Sequence, residues 1–181
     1  MRARTNRRNK AGFTLMEVMI ATVVLAVGLL SLAAMLANGL AYMNMSQYDY
    51  IAQEKAMEAV ESIFTARDMG AATWGSICNV GGGPACIFQA GPQQMCDPGA
   101  DGIIGTADDN CAALPDAILL PNAGNTFNPP VRVALSNFTR TIAIAPVPGV
   151  ANLSQIQVTV TYTSGRFRRS YTLYTNISNF S

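Results

Sequence analysis

The longest pattern in the sequence is an apolar run near the N-terminus. From Ala11 to Tyr48 the only charged side chain is Glu17. A run of roughly 20 predominantly apolar residues is enough to cross a bilayer as a helix. Further on, apolar residues recur at spacings of three and four, so one helix with a continuous apolar stripe is predicted. The stripe comprises Met43, Ile51, Ala52, Ala56, Ala59, Val60, Ile63 and Phe64. The helix is expected to run from about Phe13 to Met69, on the order of 80 Å, and to end at Gly70.

The C-terminal part of the chain has the alternating pattern of β-strands. Apolar and polar residues alternate weakly over 139–145 and cleanly over 156–162. Ser164-Gly165 then predicts a turn, and 166–178 returns as a second β-rich run, which together indicate a hairpin. We therefore predict an α+β fold in which the C-terminal half of a long helix packs on a small antiparallel sheet.

A basic cluster precedes the apolar run. It consists of Arg2, Arg4, Arg7, Arg8 and Lys10. By the positive-inside rule this end stays cytoplasmic, and the chain after about Asn38 lies across the membrane. A secretory signal peptide is the alternative, but it requires a shorter apolar core followed by a small-residue cleavage site. An ordinary membrane anchor is a second alternative, and it leaves Glu17 unexplained.

Glu17 is the residue of this run whose insertion into a membrane costs the most free energy. A carboxylate near the membrane centre costs about 2.5–3.5 kcal/mol on insertion scales, and even near the edge it requires a partner. No Lys or Arg lies within helical reach on its C-terminal side. If the chain is cut between Gly12 and Phe13, the new α-amino group, its own or a neighbouring subunit's, becomes a counter-charge that sets register between helices.

These residues resemble a known signature. A basic leader, Gly12, the run Phe13-Thr14-Leu15-Met16-Glu17 and a following apolar helix are similar to type IV prepilins, which include pilus subunits and the pseudopilins of type II secretion. The resemblance implies the type IV pilin fold, cleavage after Gly12 by prepilin peptidase, N-methylation of Phe13, and a role for Glu17 in filament assembly. It departs from many pilins because no proline precedes Pro84, so Gly28 and Gly39 are the expected soft points of the helix.

The composition argues against several classes of function. The chain has no histidine, which excludes histidine-based catalysis and histidine-ligated zinc. Only 13% of residues are charged and the net charge is +1, so no nucleic-acid partner is expected. No catalytic constellation is visible, and an enzyme is not predicted.

Four cysteines lie in a Gly- and Pro-rich region between the helix and the strands. Cys78, Cys86, Cys96 and Cys111 allow three pairings, and export favours disulfides. We favour Cys78–Cys86 and Cys96–Cys111, since each closes a short local loop.

The second pair encloses an acidic loop that resembles an EF-hand calcium loop. Asp97 and Asp101 occupy the first and fifth ligand positions, Ile103 offers a carbonyl, and Asp108 closes the loop. The pattern departs from an EF-hand at Gly99, at the closing Asp and in lacking a flanking helix pair. Calcium binding is one hypothesis, and a solvated acidic turn is the other.

The predicted organisation has five parts: a cleaved basic leader (1–12), a transmembrane and assembly half of the helix (13–37), its amphipathic half (38–70), a Cys-rich loop region (71–137) and the sheet (138–181). The predicted function is a structural minor subunit of a type IV pilus. The stretches 156–162 and 171–177, together with the helix end at 58–61, are similar to minor pilins of the PilV kind. Its expected partners are other pilins, prepilin peptidase, the inner-membrane assembly platform and, before assembly, the membrane. Alternatives are a minor type II pseudopilin, or a tip adhesin or ligand-binding subunit using Trp74, Phe88 and the acidic loop.

The expected location follows from these partners. It is the inner membrane, with a single pass and the N-terminus in the cytoplasm, before assembly. After assembly it is the periplasm or a cell-surface filament.

Overall fold

The computed structural model describes residues 12–109, 111, 116–120, 131–164 and 167–179. The chain divides into two compact units, Met1–Asn44 and Met45–Ser181. We call the second unit the head. One α-helix, α1, covers Leu15–Asp68 and contributes to both units, close to the predicted helix bounds. Its end is set by Gly70, which has φ +73° and therefore the left-handed conformation that stops a helix.

In the first unit the helix carries an exposed apolar surface. Leu15 to Met43 is helical throughout, and Phe13 just before it is 82% exposed. The hydroxyl groups of Thr22 and Ser31 bond the helix's own carbonyls, with Thr22 donating to Met19 at 2.8 Å and Ser31 to Val27 at 2.6 Å. Such internal bonding suits an apolar environment. Gly28 and Gly39 lie in regular helix.

The head contains a four-stranded antiparallel sheet in the order β1-β4-β5-β6. The short strand β1 covers Gln93–Gln94, and the long strands are β4 (Phe138–Pro146), β5 (Leu153–Ser164) and β6 (Phe167–Ser178). The predicted α+β fold with an antiparallel sheet is confirmed, and the arrangement is consistent with the type IV pilin fold that the resemblance implies. Gly165 of the predicted hairpin turn lies outside the described residues.

The region predicted as loop also contains regular structure. Trp74–Ser76 forms a 3-10 helix, and a separate antiparallel pair joins β2 (Ala117–Leu120) to β3 (Val131–Ala134). These elements were not expected from the sequence, because short strands have too few residues to show a period.

The core lies between the second half of α1 and one face of the sheet. On the helix, small residues and one isoleucine are buried at spacings of four and three: Ala52, Ala56, Ala59, Ile63 and Ala66. Opposite them β5 buries alternate residues: Ile156, Val158, Val160 and Tyr162. The alanines allow a close approach of helix and sheet. Met43, predicted in the same stripe, is instead 69% exposed and lies in the first unit.

Candidate functional site

The N-terminal motif forms the start of α1. Gly12, Phe13 and Thr14 precede the helix, and Thr14 is its N-cap, since its hydroxyl and its carbonyl both accept the Glu17 N–H, at 3.2 and 3.1 Å. Thr14 and Glu17 thus have the spacing of a capping box, with the acid in the first turn where the helix dipole favours it. The predicted cleavage bond, between Gly12 and Phe13, lies just before this cap and outside the helix.

Glu17 is exposed and sits among exposed apolar side chains. The described helix contains a stretch long and apolar enough to cross a membrane, and none of that stretch is buried. An exposed carboxylate at the start of such a surface is available to a partner. The assembly role of Glu17, like cleavage at Gly12 and methylation at Phe13, stays a prediction from the resemblance.

The Cys-rich region is crosslinked as favoured from the sequence. The structure contains the bridges Cys78–Cys86 and Cys96–Cys111. The second bridge holds the acidic loop, whose Ile103, Ile104 and Thr106 turn inward and are buried. The Ile104 N–H also donates to the Ser62 hydroxyl of α1 at 3.1 Å, so the loop is fixed to the helix.

The acids of this loop accept hydrogen bonds from the loop itself. Asp101 accepts the Ile103 N–H at 2.7 Å, and Asp108 accepts the Thr106 hydroxyl at 2.7 Å and the Asp101 N–H at 3.2 Å. The Thr106 bond and the backbone bonds lower the pKa of Asp108. The Ile103 carbonyl accepts from Thr106 at 3.1 Å.

Within the described residues no three acidic, cysteine or histidine side chains are grouped as a metal site would need. The loop geometry therefore does not by itself assemble a calcium ligand set from Asp97, Asp101, Ile103 and Asp108. Calcium binding stays a prediction.

A buried ion pair, missed from the sequence, joins the helix to the residue that precedes β2. Lys55 of α1 contacts Glu58 at 2.7 Å and Asp116 at 2.9 Å, and both Lys55 and Asp116 are buried. Burial alone would lower the pKa of Lys55, but its two carboxylate partners outweigh burial and raise it. Arg140 of β4 is also buried, which lowers its pKa despite the charges of Glu58, Asp109 and Asp116.

A cleft lies beside this region. It has a volume of about 480 Å³ and is lined by α1 and the acidic loop, including Glu61, Met69 and Asp101. Of the two aromatic residues considered as ligand contacts, Phe88 is fully buried in the core and Trp74 packs partly against it. The interpretation of Phe88 as a contact residue was therefore wrong.

Comparison with known proteins identifies the N-terminal segment. The family model described as the prokaryotic N-terminal methylation motif matches residues 7–33. This match covers the last part of the leader (7–12), the Gly12–Phe13 bond, Glu17 and the first turns of the apolar helix. Searches of curated proteins and of solved structures gave no match.

The matched motif is that of type IV pilin-like prepilins. The long N-terminal helix and the antiparallel sheet are consistent with that class, and the apolar helix fits a membrane-anchored state before assembly. Proteins with this motif are structural rather than enzymatic, and the motif implies processing by a peptidase and assembly with other pilins.

Proposed function

We propose that the chain is a minor structural subunit of a type IV pilus. The observation that carries the proposal is the methylation motif at residues 7–33 followed at once by an exposed apolar helix. Prepilin peptidase cuts between Gly12 and Phe13 and methylates the Phe13 amine. The helix then leaves the inner membrane and packs among the helices of other pilins, under the control of the assembly platform.

Glu17 guides this assembly by electrostatics. In an apolar bundle an unpaired carboxylate is costly, and an incoming α-amino group removes that cost only in the correct register. Thr14 supports the arrangement, because its hydroxyl bond to the Glu17 N–H at 3.2 Å fixes the first turn and hence the direction of the carboxylate. Thr14 thus positions Glu17 at the N-terminal end of the helix.

A minor pseudopilin of a type II secretion system is the alternative, because the same motif and helix serve both systems. A filament-tip adhesin is a further candidate, supported only by the crosslinked loops. The crosslinks suit the periplasm or the cell surface, where the head would lie after assembly.

The test is made in cells with three chains: wild type, Glu17→Gln and Glu17→Asp. Each is followed by the mass of its N-terminal peptide and by its amount in sheared surface fibres. We expect all three to begin at N-methylated Phe13. We expect Glu17→Gln to be strongly depleted from fibres and Glu17→Asp, which keeps the charge, to be depleted less. Equal amounts of Glu17→Gln and wild type in fibres would contradict the role of the carboxylate, and a processed wild type absent from fibres would favour the secretion system.

A further inference from the structure

The outer edge of β6 is the longest open strand edge of the described head. β6 pairs with β5 in unbroken register from Ser164↔Phe167 to Leu153↔Ser178. Just beyond it the Asn179 N–H donates to the Asn152 carbonyl at 3.0 Å. Because hydrogen-bonded pairs alternate along an antiparallel ladder, the odd-numbered residues of β6 bond β5 and the even-numbered residues direct their N–H and C=O groups outward.

Those outward groups belong to Arg168, Ser170, Thr172, Tyr174, Asn176 and Ser178. In the part of the chain that the structure describes, only the Ser178 carbonyl among them has a partner, the Arg67 guanidinium at 3.1 Å. Tyr174 is also 59% exposed. Among the described residues, the edge therefore presents a row of main-chain donors and acceptors without partners.

On the opposite side of the same sheet, the outer edge of β4 is covered. Strand β1 pairs with Thr139 and Arg140 of β4. Beyond β1 the Asn79 side chain takes the place of a strand, since its amide donates to the Ile142 carbonyl at 2.7 Å and accepts the Ile144 N–H at 2.7 Å. Pro146, which has no N–H, ends β4. The outer edge of β4 is thus covered, whereas the outer edge of β6 has no such cover among the described residues.

The open edge also lacks the features that normally prevent edge pairing. From Ser170 to Ser178 there is no charge, proline or glycine, and the register contains no bulge. The segment is rich in aromatic and β-branched residues, a composition that promotes strand addition. Tyr171 and Leu173 face the core but are only partly buried, so an added strand would complete their cover.

We propose that the outer edge of β6 takes up an extended strand from a different pilin-like subunit next to this one in the filament. The proposal rests on the proposed function and names the partner surface of the head. The incoming strand is largely uncharged opposite Ser170–Ser178 and carries a carboxylate near Arg168, whose side chain is exposed. Main-chain hydrogen bonds supply the affinity, and the charge near Arg168 fixes direction.

The β6 and β4 edges of a second copy of this chain do not supply that strand. Asp49 pairs with Arg169 at one end of β6 and Arg67 reaches Ser178 at the other, so the helix of the head runs in the same direction as β6. Antiparallel β6–β6 pairing would therefore set the head helices of two copies in opposite directions, and such a pairing of identical edges closes a dimer rather than extending a filament. In-register parallel pairing would place Arg168 against Arg168, and the outer edge of β4 in another copy is covered.

The main test compares two substitutions at one exposed position of β6. Asn176→Pro removes an outward N–H without removing any bond to β5, whereas Asn176→Ala keeps that N–H and serves as the matched control. We expect both full-length chains, in detergent, to melt within about 3 °C of each other. We expect the proline variant to be at least about tenfold less abundant in sheared fibres than the alanine variant, because one partner group is left unpaired. Equal abundance would overturn the proposal.

A photocrosslinking side chain in place of Tyr174 identifies the occupant. We expect the main product in fibres to be this chain joined to another protein whose own N-terminal peptide is N-methylated. A product joining two copies of this chain, or the absence of any filament-specific product, would overturn the proposal. Failure of the proposed function is seen separately, as wild-type chains that retain Met1 or never reach the fibres.

Discussion

The contact between Gly105 and Ile142 offers a sharp test of how the acidic loop is seated on the sheet. Gly105 is buried and has φ +90°, a conformation that side chains with a Cβ rarely adopt. A Cβ added to Gly105 would lie 2.6 Å from Cδ1 of Ile142. Gly105→Ala therefore combines backbone strain with a steric clash. Gly102 has φ +68° and open space around it, so Gly102→Ala is a control for the strain alone.

The two effects have separable magnitudes. Placing a residue with a Cβ at positive φ costs roughly 1–2 kcal/mol, and overpacking a core site costs typically 1–3 kcal/mol more. We expect Gly102→Ala to lower the free energy of unfolding by about 1–2 kcal/mol. We expect Gly105→Ala to lower it by about 2–5 kcal/mol, the sum of the two ranges. At about 3 °C per kcal/mol for a chain of this size, the second change lowers the melting temperature by roughly 6–15 °C.

Removing the clashing atom should rescue the variant. Ile142→Val deletes Cδ1 and alone costs about 0.5–1.5 kcal/mol. In the double variant with Gly105→Ala we expect at least about 1 kcal/mol less destabilisation than the sum of the single variants. Melting is followed by circular dichroism of the full chain in detergent with both disulfides intact. Strict additivity, or equal costs for Gly102→Ala and Gly105→Ala, would refute this packing of the loop on β4.

Further predictions concern the charges of the head. Lys55→Met should destabilise the head by about 3–5 kcal/mol, because Asp116 is left buried without its cation. The double variant Lys55→Met with Asp116→Asn should recover part of this loss. Full additivity in a thermal double-mutant cycle would contradict a stabilising ion pair between Lys55 and Asp116. The pKa of Asp108 is lowered in the folded state by Thr106 and by backbone bonds. Its contribution to stability is therefore present above the unfolded pKa, about 3.8, and is lost as the pH falls. Melting curves from pH 7 to pH 3 should show wild type above Asp108→Asn at pH 7 and the two converging below about pH 4; a constant difference would contradict this assignment. If the loop binds calcium with a Kd near 1 mM, 10 mM calcium should raise the free energy of unfolding by about 1.4 kcal/mol, and calorimetry without heat or a melting shift would refute the site.

The parts of the fold with a clear period could be predicted from the sequence. The helix was expected at about Phe13–Met69 and is found at Leu15–Asp68. The three long strands were likewise expected near their observed positions, two from the alternation over 139–145 and 156–162 and the third from the β propensity of 166–178 after a turn. Gly70 was predicted as the helix terminator and has the left-handed backbone that this role requires.

The features that depend on distant contacts could not be predicted. Asn79 closes the β4 edge across 63 and 65 residues of sequence, and an asparagine in a turn-rich region gives no local sign of it. The burial of Lys55 likewise has no local sign in the sequence, because its buried partner Asp116 lies beyond the acidic loop. Glu17 is the opposite case: its position in an apolar run is informative without any structure, since the cost of a charge there demands a functional reason.

The most direct measurement is the mass of the N-terminal peptide of this protein recovered from membranes and from sheared surface fibres. We predict a peptide that begins at N-methylated Phe13 in both fractions, which would establish peptidase processing and entry into a filament. A peptide that begins at Met1 and carries no methyl group, in cells with active prepilin peptidase, would contradict the assignment as a processed pilin subunit.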